Sequence, residues 1–197
     1  NHLIEKLTNQ FHRSPLQANR LQESDAEIVR LSPNSDACVA ITTDSIVEEI
    51  AMGLYDDPYL IGWMAVMVNM SDLAAVGAQP IGLLISEVLP TGYPEDSLVR
   101  LQQGIQDACA ACGTYVLGGD TNFGDQLMLT GCALGSVNPP GFLTRVGCRP
   151  GDIVYSSEFL GSGNAFAFSA LTQSRQMAGH PSPTVVDDST RRENRDD

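Results

Sequence analysis

Lysine and histidine are almost missing from this 197-residue sequence, and neither occurs in its central part. The single lysine is Lys6, and the three histidines, His2, His12 and His180, lie near the two ends. A Walker-type phosphate loop and a Schiff-base enzyme each require a lysine, and a Ser-His-Asp triad requires a histidine. These absences exclude three common mechanisms from the centre of the chain.

Positive charge is scarce as well, since 11 basic residues face 24 acidic ones and the formal net charge is −13. Between residues 41 and 130, twelve acidic residues accompany one base, Arg100. A surface this negative repels nucleic acids and anionic membranes, so we expect neither as a partner. Chemistry in this segment would have to use carboxylates, most simply by holding hard divalent cations through oxygen ligands. A solvated acidic face, or adaptation to a salty cytoplasm, is the alternative.

The five cysteines cannot pair evenly into a disulfide framework, and no secretory signal pattern opens the sequence. We therefore expect a protein of the reducing cytoplasm. Cys109 and Cys112 have CxxC spacing, but no second pair or nearby histidine completes a zinc site, and the surrounding alanines indicate a packed helix face.

Residues 58–86 carry one charge, Asp72, yet polar residues and a break near Pro80 leave no stretch of about 20 apolar residues for a membrane span.

Apolar and turn-forming segments alternate along the chain, which indicates an α/β or α+β fold. The first thirty residues are polar with helical character. We expect strands at 36–44, 81–89, 114–117 and 126–137, and another beginning at 151–155. We expect helices at 60–76, 94–112 and 161–171, with Gly113 ending the second of them.

Three aspartates are candidate functional residues. Asp72 interrupts a helix that is apolar nearly all round, and a buried carboxylate is costly unless a metal ion or hydrogen-bond donors satisfy it. Asp44 and Asp120 follow apolar strands, where open α/β sheets place ligands, and two glycines before Asp120 permit close approach to a bulky anion. An exposed Asp72 at the helix end, and an ordinary turn at residues 118–121, are the alternatives.

Three segments carry specific motifs, and they are Thr42-Thr43-Asp44, Ser71-Asp72-Leu73-Ala74-Ala75-Val76-Gly77-Ala78 and Gly118-Gly119-Asp120-Thr121. They resemble the amino-terminal domain of the aminoimidazole-ribonucleotide-synthetase-like (PurM-like) ATP-binding superfamily, and within it thiamine-monophosphate kinase most. Residues 143–154 resemble that family's passage into its second domain. The resemblance covers about residues 20–172. It implies a mixed β-sheet with flanking helices, whose sheets pair in a homodimer.

The resemblance further implies an ATP- and Mg²⁺-dependent phosphotransferase that converts thiamine monophosphate to thiamine diphosphate by direct in-line transfer. Carried over residue by residue, it assigns metal binding to Asp25, Thr42, Thr43, Asp44, Asp72 and Asp120. It assigns nucleotide binding to Gly119, Asp120 and Arg145. Such a transfer depends on positioning and charge neutralisation, which clustered magnesium ions could supply in place of the missing lysine.

The resemblance also predicts the domain organisation. We expect an ATP/Mg-binding domain at residues 1–140, the truncated start of a second domain at 141–175, and a disordered tail at 176–197. The family's substrate-contacting histidine corresponds to about Ala51, a nucleotide-side tyrosine corresponds to about Gln102, and no aspartate motif of a second domain follows. The alternative function is therefore a truncated, non-catalytic nucleotide-binding or dimerisation module, or an AIR-synthase-related protein of unknown substrate.

Overall fold

Helices and strands alternate along the chain, and the computed structural model describes residues 2–8, 10–138, 141–156 and 160–177. The elements are α1 (His2–Thr8), β1 (Glu27–Arg30), β2 (Cys38–Ser45), α2 (Val47–Ala51), α3 (Pro58–Ala75), β3 (Gln79–Pro90), α4 (Glu95–Ala111), β4 (Val116–Gly124), β5 (Met128–Val137) and α5 (Ser162–Met177). This mixed architecture confirms the predicted α/β (α+β) fold class. No helix of the described part has the length and apolar character needed to cross a membrane.

The strands form one mixed sheet in the order β1-β2-β5-β3-β4. Strand β5 lies between β2 and β3 and runs antiparallel to both, whereas β3 and β4 are parallel and are connected through α4. Along β5 alternate residues are buried, because helix α3 packs against one face of the sheet. The core is therefore formed between this face of the sheet and α3.

Helix α3 begins after Asp57, whose carboxylate accepts a hydrogen bond from the backbone N–H of Tyr59 (3.1 Å), and Pro58 suits the first turn. The helix is apolar nearly all round because the sheet contacts one side and α4 contacts the other. The two helices approach most closely at glycines. An added Cβ at Gly62 would lie 2.0 Å from the carbonyl oxygen of Leu101, and one at Gly104 would lie 2.0 Å from that of Tyr59.

Five elements agree with their sequence predictions to within about two residues, namely β2, α3, β3, α4 and β5. Gly113 follows α4 with φ +62°, a left-handed conformation that glycine adopts without strain. The predicted helix at 161–171 is present as the longer α5. Residues 139–140 and 178–197, which include most of the expected tail, lie outside the described residues.

Three predictions need correction. Gly118-Gly119-Asp120-Thr121 lies inside β4 rather than after it, because β4 pairs with β3 as far as Gly124. Residues 151–155 form no strand, since no described strand pairs with them and Val154 is 93% exposed. The first thirty residues are not helical throughout, because only α1 is helical and residues 27–30 form β1 at the sheet edge.

The CxxC pair belongs to the packed end of α4, as the alanine-rich context predicted. Cys109 is buried in the core and Cys112 follows the last turn, with its Sγ 3.6 Å from the Sδ of Met67. Burial raises the pKa of both thiols, which disfavours the thiolate that metals and disulfide exchange require. The pair therefore has a packing role here.

The contact between α3 and α4 gives a test of the fold. We expect Gly62→Ala and Gly104→Ala each to lower Tm by roughly 3–10 °C, because the new methyl group would have to push two helix backbones apart. The measurement is thermal unfolding followed by circular dichroism. Gly163→Ala is the matched control, since it adds a methyl group to a helix with no atom within 4 Å. A Gly104→Ala variant as stable as the control would contradict this account.

Candidate functional site

The last residues of β2 leave the core beside α3. Strand β1 pairs with β2 only over Cys38–Ile41, so within the described part of the chain Thr42, Thr43 and Asp44 have β5 as their only neighbouring strand. Thr42 is buried, whereas Thr43 and Asp44 are exposed. Asp44 therefore lies inside the strand and not past its end, at the point where the strand meets solvent.

Asp72, in the last turns of α3, faces this end of β2. The hydroxyl of Thr42 donates a hydrogen bond to Oδ2 of Asp72 (2.7 Å). Burial raises the pKa of Asp72, and the nearby carboxylates of Asp44 and Asp25 raise it further, whereas the Thr42 hydrogen bond and the charge of Arg145 oppose this effect. The carboxylates of Asp44 and Asp25 are thus near enough to Asp72 to disfavour its ionised form.

Arg145 reaches this region on the segment that follows β5. The backbone N–H of Leu143 donates to the carbonyl of Val76 (3.1 Å), and that of Arg145 donates to the carbonyl of Glu23 (2.8 Å). The guanidinium of Arg145 then forms an ion pair with Asp25. We refer to Asp25, Thr42, Asp44, Asp72 and Arg145 as the acidic cluster, in which one cation accompanies three carboxylates.

Thr43 lies next to the acidic cluster but has a different contact. Its hydroxyl donates to the carbonyl of Gly131 on β5 (2.8 Å), so it fastens β2 to its neighbour. Its assignment as a metal ligand stays a prediction.

Gly119 and Asp120 lie on the far edge of the sheet. Strand register places Asp44 level with Gly131, then Ile85, then Gly119, so three interstrand spacings, about 14 Å, separate the β2 and β4 backbones. The side chain of Asp120, one residue further along, points to the face opposite that of Asp44. Within one chain, the structure does not bring Gly119 and Asp120 to the acidic cluster.

Gly119 has a structural reason to be glycine. An added Cβ there would lie 1.8 Å from the carbonyl oxygen of Ile85, so the close pairing of β4 with β3 requires the bare backbone. Beside it lies a cavity of about 260 Å³. Glu87 lines this cavity and accepts hydrogen bonds from Nε2 of Gln102 (3.0 Å) and the hydroxyl of Thr121 (3.1 Å).

Asn69 is a polar residue of this region that sequence reasoning did not single out. Its side chain is fully buried on α3, and its amide oxygen accepts a hydrogen bond from the backbone N–H of Asp44 (3.0 Å). Its position three residues before Asp72 was the available signal, because residues three apart share a helix face.

The acidic cluster fits magnesium in the kind of donors it offers, since carboxylate and hydroxyl oxygens are its preferred ligands. Among the described residues, however, no three acidic, histidine or cysteine side chains are close enough to enclose an ion. Mg²⁺ is commonly held by one or two carboxylates and completed by water and substrate phosphates. An open set of carboxylates therefore suits an ion shared with a nucleotide better than a permanently enclosed one.

Comparison with known proteins shows one family. A family model described as AIR synthase related protein, N-terminal domain, matches residues 23–137. A selenide, water dikinase of Methanococcus maripaludis is 31% identical over 157 residues, covering 78% of this chain and 47% of the relative. A thiamine-monophosphate kinase of Methanocaldococcus jannaschii is 32% identical over 119 residues, covering 60% of this chain and 37% of the relative. The chain spans about half or less of the length of these curated relatives.

Solved structures agree with the fold. The structure titled AaThiL complexed with AMPPCP and TMP is similar with a TM-score of 0.61 and 25% identity, covering 75% of this chain and 43% of that one. T. maritima PurL complexed with ATP has a TM-score of 0.56 at 19% identity, covering 69% of this chain and 23% of that one, and it supports the fold alone.

The raised pKa of Asp72 gives a test of the acidic cluster without any ligand. A raised pKa means that the folded chain binds this proton more tightly than the unfolded chain, so stability falls as pH rises through that range. We expect Asp72→Asn to raise Tm at pH 7 by a few degrees, because the neutral amide removes the ionised carboxylate that burial and its neighbours disfavour. The gain should vanish below about pH 4, where the carboxyl is protonated in both states.

Thermal unfolding in EDTA at a series of pH values measures this effect. Asp125→Asn is the matched control, because it removes an exposed acidic residue outside the acidic cluster. A lower Tm of Asp72→Asn at pH 7, or an equal rise in Tm for Asp72→Asn and Asp125→Asn, would show that the ionised carboxylate of Asp72 does not destabilise the fold.

Proposed function

The chain belongs to the AIR synthase related protein family through its N-terminal domain, and from this we propose that it binds ATP with magnesium and transfers a phosphoryl group to a small substrate. The observation that carries the proposal is the acidic cluster, in which Asp25 and Asp44 both lie within electrostatic reach of Asp72, and Arg145 pairs with Asp25. Carboxylates in such an arrangement repel a bare triphosphate and accept one that arrives with divalent cations.

Each residue of the acidic cluster has a role in this proposal. Asp25, Asp44 and Asp72 would hold magnesium, with Thr42 and Thr43 assisting, and the ion when bound supplies charge neutralisation and alignment of the phosphates. Thr42 fixes the orientation of the Asp72 carboxylate through its hydrogen bond. Arg145 holds a guanidinium at the edge of the acidic cluster, and its planar fork suits a phosphate oxygen pair.

Thiamine monophosphate is the substrate we propose. The support is the similarity to thiamine-monophosphate kinases and to the AaThiL structure titled as complexed with AMPPCP and TMP. Selenide, water dikinases match at the same level of identity, so selenide belongs in the assay as a competing substrate.

We also propose that Gly119 and Asp120 act in a homodimer. Within one chain both lie too far from Asp44 to share its ligand, and the side chain of Asp120 also points to the opposite face of the sheet. The sheet face turned away from α3 exposes apolar side chains, among them Leu84 and Met128. Pairing two such faces would bury them and carry Asp120 of one copy toward the other.

A non-catalytic nucleotide-binding or dimerisation module is the second candidate. It is favoured by the replacement of the family's histidine and tyrosine at about Ala51 and Gln102. Such a module would bind Mg-ATP without forming product. We therefore expect Mg-ATP binding from both the kinase and the non-catalytic module, but product formation from the kinase alone.

Calorimetric titration with ATP, in MgCl₂ and in EDTA, tests the proposed binding. We expect binding only with magnesium, and a loss of roughly tenfold or more in affinity for Asp44→Asn, because one cation ligand is removed. Asp125→Asn is the control for charge alone. ATP binding that is equally strong in EDTA, or equally strong in Asp44→Asn and Asp125→Asn, would refute the metal-dependent site. A separate assay for product from thiamine monophosphate or selenide distinguishes the enzyme from the non-catalytic module.

Light scattering during size-exclusion chromatography tests the homodimer. We expect a mass near twice the 21.1 kDa of the chain, and a shift toward the monomer in Leu84→Lys, since a charge in the middle of the apolar sheet face opposes pairing. Val99→Lys places the same charge on an exposed apolar residue of α4 and should leave the dimer intact. A wild-type monomer would contradict the proposal.

A further inference from the structure

The side chain of Asn69 forms hydrogen bonds with both the backbone N–H and the backbone carbonyl of Asp44. Its amide oxygen accepts from the N–H of Asp44 (3.0 Å), and its amide nitrogen donates to the carbonyl of Asp44 (3.3 Å) and to the carbonyl of Ala65 (3.0 Å). The side chain is fully buried. Only the bond to Ala65 is the local one that a mid-helix polar residue commonly makes.

Asp44 needs such a partner because of where it lies in the sheet. Strand β1 ends its pairing with β2 at Ile41, so it offers no backbone group to Asp44. Although Asp44 as a residue is exposed, its backbone bonds to Asn69 are part-buried, and peptide groups removed from water are nearly always paired in folded proteins. The Asn69 amide, with one donor and one acceptor group, serves here as a substitute for a short piece of neighbouring strand.

Gly131 makes this contact possible. It lies level with Asp44 on β5, and a Cβ added to it would lie 2.2 Å from Nδ2 and 2.7 Å from Cγ of Asn69. Any larger residue at position 131 would push the amide out of its place above the sheet. The amide of Asn69 on α3 thus occupies the space that a side chain at Gly131 on β5 would otherwise fill.

We propose that Asn69, seated above Gly131, is a positioning residue that fixes the backbone of Asp44 and thereby aims its carboxylate at the divalent cation. The inference rests on the proposed function, because it concerns the metal–nucleotide site suggested above. Asn69 does not touch the ion; it acts through Asp44. Partners that orient a metal ligand typically affect affinity by roughly 10–100-fold when removed.

Two glycine variants on the same strand separate positioning from stability. Gly131→Ala removes no polar group from the chain, and its added methyl group displaces the amide of Asn69. Gly135→Ala is the matched control, because its Cβ would also be crowded, at 3.0 Å from the carbonyl oxygen of Gln79, but it is four residues further from the acidic cluster. Both variants should lose stability. Only Gly131→Ala should lose affinity for Mn²⁺, by roughly tenfold.

The probe is Mn²⁺ alone, titrated against the full chain and followed by the electron paramagnetic resonance of the free ion. Asn69→Asp provides a second variant, since it keeps an acceptor for the Asp44 N–H but, when ionised, cannot donate to the Asp44 carbonyl. It should also weaken Mn²⁺ binding, although it adds a negative charge that would otherwise strengthen it. Amide hydrogen exchange at Asp44 should be slow in the wild type and faster in Gly131→Ala and Asn69→Asp, but not in Gly135→Ala.

The failures of the two proposals can be told apart. A wild-type chain that binds no Mn²⁺ would refute the metal site and this role with it. A wild-type chain that binds Mn²⁺, with Gly131→Ala and Gly135→Ala equally affected or equally unaffected, would refute the positioning role and leave the metal site standing.

Discussion

Helix α3 is buried on two sides, and the candidate site depends on how this helix accommodates polar residues on its sheet-facing side. The close contact with α4 at Gly62 and Gly104 leaves no room for the helix to move outward. Its polar groups must therefore be satisfied from the sheet, and β2 does this through the Thr42 hydroxyl and the Asp44 backbone. The packing that holds the fold together is thus the same packing that holds the carboxylates near one another.

Much of the fold was predictable because its central elements carry local signals. Helix α3 has a capping Asp57 and a long apolar pattern, and α4 ends at Gly113 with the expected left-handed turn. Strand β4 was predicted too short because Gly118 and Gly119 are typical of turns, and only the contact with Ile85 explains a glycine inside the strand. Residues 151–155 have the composition of a strand, but strand formation requires a neighbour that local sequence does not reveal.

The candidate site was predictable to the extent that it depends on short-range geometry. Asp44 and Asp72 lie near each other as expected, because β2 and α3 pack directly. The position of Asp120 could not be derived from its motif, since it depends on the strand order β2-β5-β3-β4, which is set by long-range pairing. Asn69 was missed because a single amide in an apolar helix gives no local indication of its partner, and the partner is the glycine that lies opposite Asp44.

The charge distribution adds a thermodynamic link between these observations. Asp72 is held where burial and two neighbouring carboxylates disfavour its ionised form, and Arg145 is the one cation shown to act against this. At neutral pH the ionised carboxylate of Asp72 therefore lowers the stability of the free chain. A divalent cation would remove that repulsion by binding to the folded state alone, and any species that binds only the folded state stabilises it. Because the electrostatic cost and the proposed binding site involve the same residues, the proposed affinity for a cation-bearing phosphate ligand would have the same structural origin as that cost.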